Sequence, residues 1–238
     1  MGNPKHFSLE LPQRCLTLID ELWSEVEKIT IKKEEHLGPL TTTFLVAMAI
    51  PIFNLPVERI AKQIGIGEGY ADDRGLKPEL AAEVRDKLGG ASFTKAPFFK
   101  IDAWSLVQRP FKPGSLNIAK GLPCDVLEEL KAGAARDAAA NMPTNMWVSC
   151  VRNALAHGGI AYLDGDGNQT FGESVRKIAF VSGKSKLDPS CKEYPDLKCV
   201  GEFEEVRILR ISQSDFREFL GEWVRWLKDS RLVDSLAA

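Results

Sequence analysis

Apolar residues recur at two different periods along this chain, and the change falls at Gly158-Gly159. Before that pair the spacing is helical. Cys15, Leu16, Ile19, Leu22, Trp23 and Val26 make one stripe, with Pro12 suited to a first turn and residues 1 to 10 read as a loose arm. After a charged connector, Lys32 to His36, a second helix is expected from about Leu40. Its three threonines are poor helix formers, but the run from Phe44 to Phe53 is dense enough for a buried helix. Pro51 should bend or end it. Pro56 then starts a short helix carrying Val57, Ile60 and Ile64, with Arg59 and Lys62 on a solvated side. Residues 65 to 121 are rich in Gly and Pro and are the least regular part. A short helix is expected from Pro78 to Leu88, and another after Ile101 carrying Trp104 and Leu106. Pro123 to Ala140 reads as a helix leading through Pro143 into one that Thr144 caps and Gly158-Gly159 stops.

Beyond the glycines the period shortens to that of strands. Ile160 to Leu163 reads as a strand, Asp164 to Asn168 as a turn, Val175 to Val181 as the returning strand and Glu205 to Ile211 as a third. Ser214 is expected to cap a last amphipathic helix with Phe216, Phe219, Leu220, Trp223 and Leu227 on its apolar side. The expected fold class is therefore mainly α: a helical bundle with a small antiparallel β-sheet inserted before the C-terminal helix. Residues 1–238 form a single domain in this reading, with about 160–211 a β-rich insertion.

The helix from Thr144 to His157 has two unlike sides. At about 100° per residue, Trp147, Val148, Val151, Ala154 and Leu155 fall together and should face a core. Arg152, Asn153 and His157 fall on the other side, spread over about 140°, with Asn153 and His157 an i,i+4 pair that can touch. Ser149, Cys150 and Ala156 lie among them and are small enough for another backbone to come close. An arginine, an amide and an imidazole on a side with nothing bulky between them suit a phosphate.

The run Arg152-Asn153-Ala154-Leu155-Ala156-His157 resembles the signature of the HEPN superfamily of ribonucleases and toxins: an Arg, a polar residue, then a His. Leu11 to Trp23 and Leu40 to Ile60 also resemble the start of bacterial proteins with this domain. The resemblance implies a HEPN-like helical bundle and a metal-independent endoribonuclease that serves as a toxin or defence enzyme. It further implies a homodimer in which two copies of the helix pack across a two-fold axis and build one composite site. It also implies an antitoxin or another regulatory protein as a partner. One branch of the family carries a modifiable Tyr two residues after the His; here that position is Gly159, and Tyr162 is a poor substitute.

The chemistry follows from RNA itself, whose 2′-OH lies beside the scissile phosphate. A base must take that proton, an acid must protonate the 5′-oxygen, and positive charge must meet the dianionic transition state. Neutral His157 suits the first task, and Arg152 grips phosphate oxygens in two-pronged fashion. Asn153 orients His157 or binds the phosphate. No metal and no other cofactor is expected. The competing reading is a HEPN-like module that binds RNA or dimerises without cutting.

Size and composition set outer limits. A chain of 238 residues with 44% apolar and 27% charged residues buries a sizeable core. A net charge of −2 argues against a protein coating nucleic acid broadly, while leaving room for a local basic site. No signal peptide opens the sequence, and the run from Phe44 to Phe53 is too short to span a bilayer, so no membrane partner and a cytoplasmic location are expected. Five scattered cysteines, with no Cys-x-x-Cys, fit free thiols. Three patterns are set aside. Gly65, Gly67 and Gly69 follow no nucleotide-loop pattern. Asp164-x-Asp166-x-Asn168 opens like a calcium loop but has Gln169 and Val175 where Gly and Glu are required. Asn168-Gln169-Thr170 is a glycosylation sequon by composition alone.

Overall fold

The fold is built around an antiparallel sheet in the strand order β1-β4-β3-β2: β1 is Trp104–Pro110, β2 Ile160–Leu163, β3 Lys177–Leu187 and β4 Val200–Ser212. The structure, a computed structural model, describes residues 7–29, 40–63, 86–114, 116–171, 174–187 and 200–230. Helix α1 is Phe7–Lys28, followed by α2 Thr41–Ala49, a π-helical turn Ile50–Asn54 and α3 Leu55–Gln63. After β1 come α4 Cys124–Lys131, α5 Gly133–Asn141 and α6 Thr144–His157, and α7, Gln213–Asp229, closes the chain.

Alternation along the strands gives the sheet two apolar faces. Trp104, Leu106, Ile178, Phe180, Leu209 and Ile211 join a large core with side chains from α1, α2, the π turn, α6 and α7. Val107, Ala161, Leu163, Ala179, Val181, Val206 and Ile208 face the other way, onto Val126, Leu127 and Leu130 of α4. Arg109 of β1 fastens this smaller layer, reaching Asp125 and Glu129 on α4. Both faces are thus covered by helices, and the class is mixed α/β.

That corrects the expected helical bundle with an inserted sheet. The misreading lies at Trp104, Ser105, Leu106 and Val107, which are all buried. A short, continuously buried run carries no period to tell strand from helix. It is the edge strand β1, paired with β4 from Trp104↔Ile211 to Pro110↔Glu205. The sheet therefore takes strands from both sides of α6 in sequence and is a central layer, not an insertion at 160–211. The other strands lie near the expected positions, although β3 and β4 run longer. β3 pairs with β2 only through Lys177 to Phe180, while it follows β4 much further, through register shifts at Lys184, Ser185 and Leu187.

Other boundaries move for local reasons. Helix α1 begins at Phe7, inside the expected arm, and carries Pro12 within it. The expected helix from Pro123 to Ala140 breaks at Ala132, whose ψ of 151 is extended. Ser212, not Ser214, caps α7: its hydroxyl accepts from the Asp215 amide at 2.9 Å and donates to the Asp215 carboxylate at 2.6 Å. Arg59 lies over the Phe7 ring at 5.2 Å, so it is more than a solvated charge. The connector at 32–36, the glycines at 65–69, most of the expected helix at 78–88, and Cys191 and Cys199 lie outside the described residues; Cys15, Cys124 and Cys150 are free thiols.

Two prolines five residues apart shape the helix that crosses the core. Pro51 and Pro56 cannot donate backbone hydrogen bonds, and each ring crowds the carbonyl four residues earlier. The chain accommodates them by widening to the π turn, in which the Leu55 amide reaches the Ile50 carbonyl. Since Pro56 offers nothing to the Ile52 carbonyl, the indole of Trp223 donates to it at 2.9 Å. The helical stretch Thr41–Arg59 is long and apolar enough to cross a membrane by length and composition, which differs from the expectation for Phe44 to Phe53. Leu45, Ala49, Ile52 and Phe53 of that stretch are fully buried in the chain's own core. Trp223→Phe keeps most of the ring but loses the donor, and should cost about 1–3 kcal/mol. A urea melt with a lower midpoint and an unchanged slope would register it.

Candidate functional site at the end of helix α6

Helix α6 begins in the core. Trp147 is fully buried, stacked on Phe93 at 4.5 Å and edge-on to Trp104, Phe53 and Phe219. Thr144 is not its side-chain cap. It is the first helical residue, and both its amide and its hydroxyl donate to the Ala91 carbonyl, at 2.8 and 3.0 Å, while the Asn145 amide donates to Gly89. The loop before the helix thus supplies the acceptors that a capping hydroxyl would have supplied.

Toward its other end α6 lies on the sheet. Cys150 is buried there, its thiol against the carbonyls of Phe180 and Arg207, and burial pushes its pKa up to about 12. It therefore does not belong to the polar side on which it was expected. Ser149 and Ala156 are exposed, as that side requires. Asn153 is half-buried, and its amide donates to the Ser182 hydroxyl of β3 at 3.4 Å instead of engaging His157.

Arg152 is held from a part of the chain almost one hundred residues away. Asn54, in the π turn, donates its side-chain amide to the Arg152 carbonyl at 3.1 Å. One turn later, Glu58 of α3 forms an ion pair with Nε of Arg152 at 3.0 Å. The arginine side chain is still 37% exposed. Neither Asn54 nor Glu58 was singled out in the sequence. The available signal was weak: Glu58 sits beside Val57 on a helix whose apolar side faces the core, so it lies at the core's edge.

His157 is the last residue of α6 and is exposed. Among the described residues it has no hydrogen-bond or ion-pair partner. The two glycines after it do different things. Gly158 takes the left-handed conformation, φ 70, and its amide returns to the Ala154 carbonyl. Gly159 packs so closely on β3 that an added Cβ would stand 2.2 Å from the Val181 carbonyl oxygen, while its own carbonyl accepts from the Val181 amide at 2.7 Å. His157 is thereby fixed at the point where helix turns into β2. Tyr162, further along that strand, is half-buried, and burial raises its pKa; Thr43 hydrogen-bonds to it.

The site is thus three side chains on the last two turns of α6, with Arg152 and Asn153 half-buried and His157 exposed. A groove of about 760 Å3 between α1 and α7 includes none of them. Within that groove Arg217 lies over Trp23 at 4.5 Å and pairs with Asp20, and Trp23 donates to Glu27. No group of three His, Cys, Asp or Glu among the described residues is placed to hold a metal ion. The decoy turn is closed by Asp164, whose carboxylate accepts the Asn168 amide at 2.9 Å; that contact holds its pKa below the ordinary range.

Compared with family models, curated proteins and solved structures, the chain matches none.

Gly159→Ala tests the geometry directly. The neighbour is backbone and cannot swing aside, so helix and strand must separate. A loss of about 1–3 kcal/mol is expected in chemical denaturation, against about 0.5 kcal/mol or less for Ala156→Ser at the exposed last turn of α6, where only helix propensity changes.

Proposed function

We propose that the chain is a metal-independent endoribonuclease of HEPN type whose site is completed by a second copy, without the helical bundle that the resemblance implied. The observation that carries this reading is the placement of Arg152 and Asn153, half-buried, and His157, exposed, on the last two turns of a helix whose other side is locked into the core. His157 accepts the 2′-OH proton, and the 2′-oxygen attacks the phosphorus. The 5′-oxygen leaves with a proton, giving a 2′,3′-cyclic phosphate and a 5′-hydroxyl. Arg152 offsets charge on the phosphate as the transition state forms. His157 lies five residue steps beyond Arg152 on the helix, roughly 7.5 Å of rise and about 140° of rotation. One chain therefore offers one imidazole and a divergent guanidinium, and a two-fold partner would supply the second His as the acid. The exposed Ser149 and Ala156 suit such an approach. A regulatory or antitoxin protein covering this surface would silence it.

One observation favours the non-catalytic module. Arg152 is paired with Glu58, and Asn153 with Ser182, so two of the three side chains already have structural partners.

Cleavage of single-stranded RNA in EDTA separates the two readings. The full chain should leave cyclic phosphate ends and spare DNA, which lacks the 2′-OH. His157→Ala should abolish cutting with the fold intact, since that side chain packs against nothing in the core. Arg152→Ala should slow it by about 10²–10³, and light scattering should report a dimer for the parent. Intact RNA, or a His157→Ala variant that cuts like the parent, makes the chain a module. Glu58→Gln adds a second readout: RNA binding tightens if Arg152 meets phosphate, and stays the same if the arginine serves only the fold.

A further inference from the structure

Opposite the face on which α6 lies, one row across the sheet runs Ser105, Arg210, Ala179, Ala161. The arginine has only small neighbours in that row, and it is 9% exposed. Its Nη2 donates to the Ser105 hydroxyl at 3.3 Å, while Nη1 is buried with no partner among the described residues. No carboxylate pairs with it among the described residues. Burial holds its pKa below the ordinary value, and the positive charge of Arg136 acts in the same direction. A buried guanidinium without an anion is costly, because desolvation is not repaid.

The turn between β2 and β3 lies over this arginine. Gly167, φ 83, comes so near that an added Cβ would stand 3.1 Å from Arg210 Nη1, 3.6 Å from Lys131 Cε and 3.8 Å from Lys177 Nζ. Three cationic side chains therefore converge on one point. Two of them are held by contacts that an anion can replace. Lys177 donates to the Gly165 carbonyl at 2.5 Å, and Lys131 to the Asn168 side chain at 3.1 Å and to Glu128 at 2.8 Å. Asp164 and Asp166 offset part of the charge on Lys177. Neither forms an ion pair with Arg210.

We propose that Arg210, Lys177 and Lys131 form a second site, which binds a phosphate group beneath the Asp164–Asn168 turn. One phosphate oxygen meets Nη1 of Arg210, and the others take the lysine ammonium groups from Gly165 and Asn168 as the turn lifts. Charge-assisted bonds to a tetrahedral oxyanion are what this set of donors is arranged to make. The site lies across the sheet from α6, so its ligand is not the phosphate at His157, and the inference stands independently of the ribonuclease reading.

Isothermal titration of the full chain, at fixed ionic strength in chloride, tests it with inorganic phosphate, adenosine monophosphate and adenosine. Phosphate and the monophosphate should bind, and adenosine should not. Equal affinities point to free phosphate, and a tighter monophosphate points to a nucleotide as the source. Arg210→Gln, which keeps a donor for Ser105, should abolish binding. Lys177→Gln, at a half-buried position on the turn's edge, should weaken it by about tenfold or more, the equivalent of one charged hydrogen bond. It also decides the matter if Arg210→Gln does not fold. Arg152→Ala should leave binding unchanged. The proposal fails if neither phosphate compound binds at millimolar concentration, if Lys177→Gln binds like the parent, or if Arg152→Ala is the variant that loses binding.

Discussion

The packing of Trp147 is the contact on which the arrangement depends. Its indole meets Phe53 from the π turn, Phe93 and Phe98 from the loop before the sheet, Trp104 from β1 and Phe219 from α7. Elements distant in sequence are thus brought onto one side chain. Aromatic pairs prefer stacked or edge-on geometry, and both occur here, so the contacts fix orientation as well as burial. Because Trp147 lies near the start of α6, those contacts also set the height and rotation at which the last turn of the helix emerges. Its indole N–H is buried without a partner among the described residues, so the attraction at this point comes from the rings themselves.

The candidate site inherits its geometry from that anchor and from two supports the helix does not contain. Asn54 and Glu58 grip the backbone and side chain of Arg152, and Gly159 leans on Val181 just past His157. The arginine is held by the proline-widened helix, and the backbone just past His157 by the sheet. A change in how these two bodies pack would move the two groups relative to each other without touching either.

Much of this was legible in the sequence, and the failures have physical causes. The apolar side of α6 was readable because Trp147, Val148, Val151, Ala154 and Leu155 follow a helical period, and all five are buried. The hairpin after Gly159 was readable from its alternation and its Asp/Gly turn. β1 was not, since Trp104 to Val107 are buried on successive positions and leave no alternation. The placement of Cys150 failed because a small side chain is compatible with either side of a helix; the nearness of Phe180 decided it. Glu58 could not be matched to Arg152 because an ion pair across the fold leaves no spacing in the chain. Arg210 was hidden for the opposite reason: an arginine in an alternating strand reads as an outward position, while here the outward face is roofed by a turn.

The unequal lengths of β2 and β3 have a consequence for how this molecule behaves in a crowd. Past Val181, no described strand pairs with the outer edge of β3, and its unmatched amides and carbonyls are a template on which a foreign strand can grow. The residues there are Ser182, Gly183, Lys184 and Ser185, followed by Lys186 in the sequence, and the ladder with β4 shifts register in the same stretch. Lysine charge repels a like strand laid alongside, and an irregular ladder offers no flat surface to copy. The overhang that leaves β3 open is thus also the part least suited to seeding aggregation, so replacing Lys184 with valine would convert a tolerated edge into a more adhesive one.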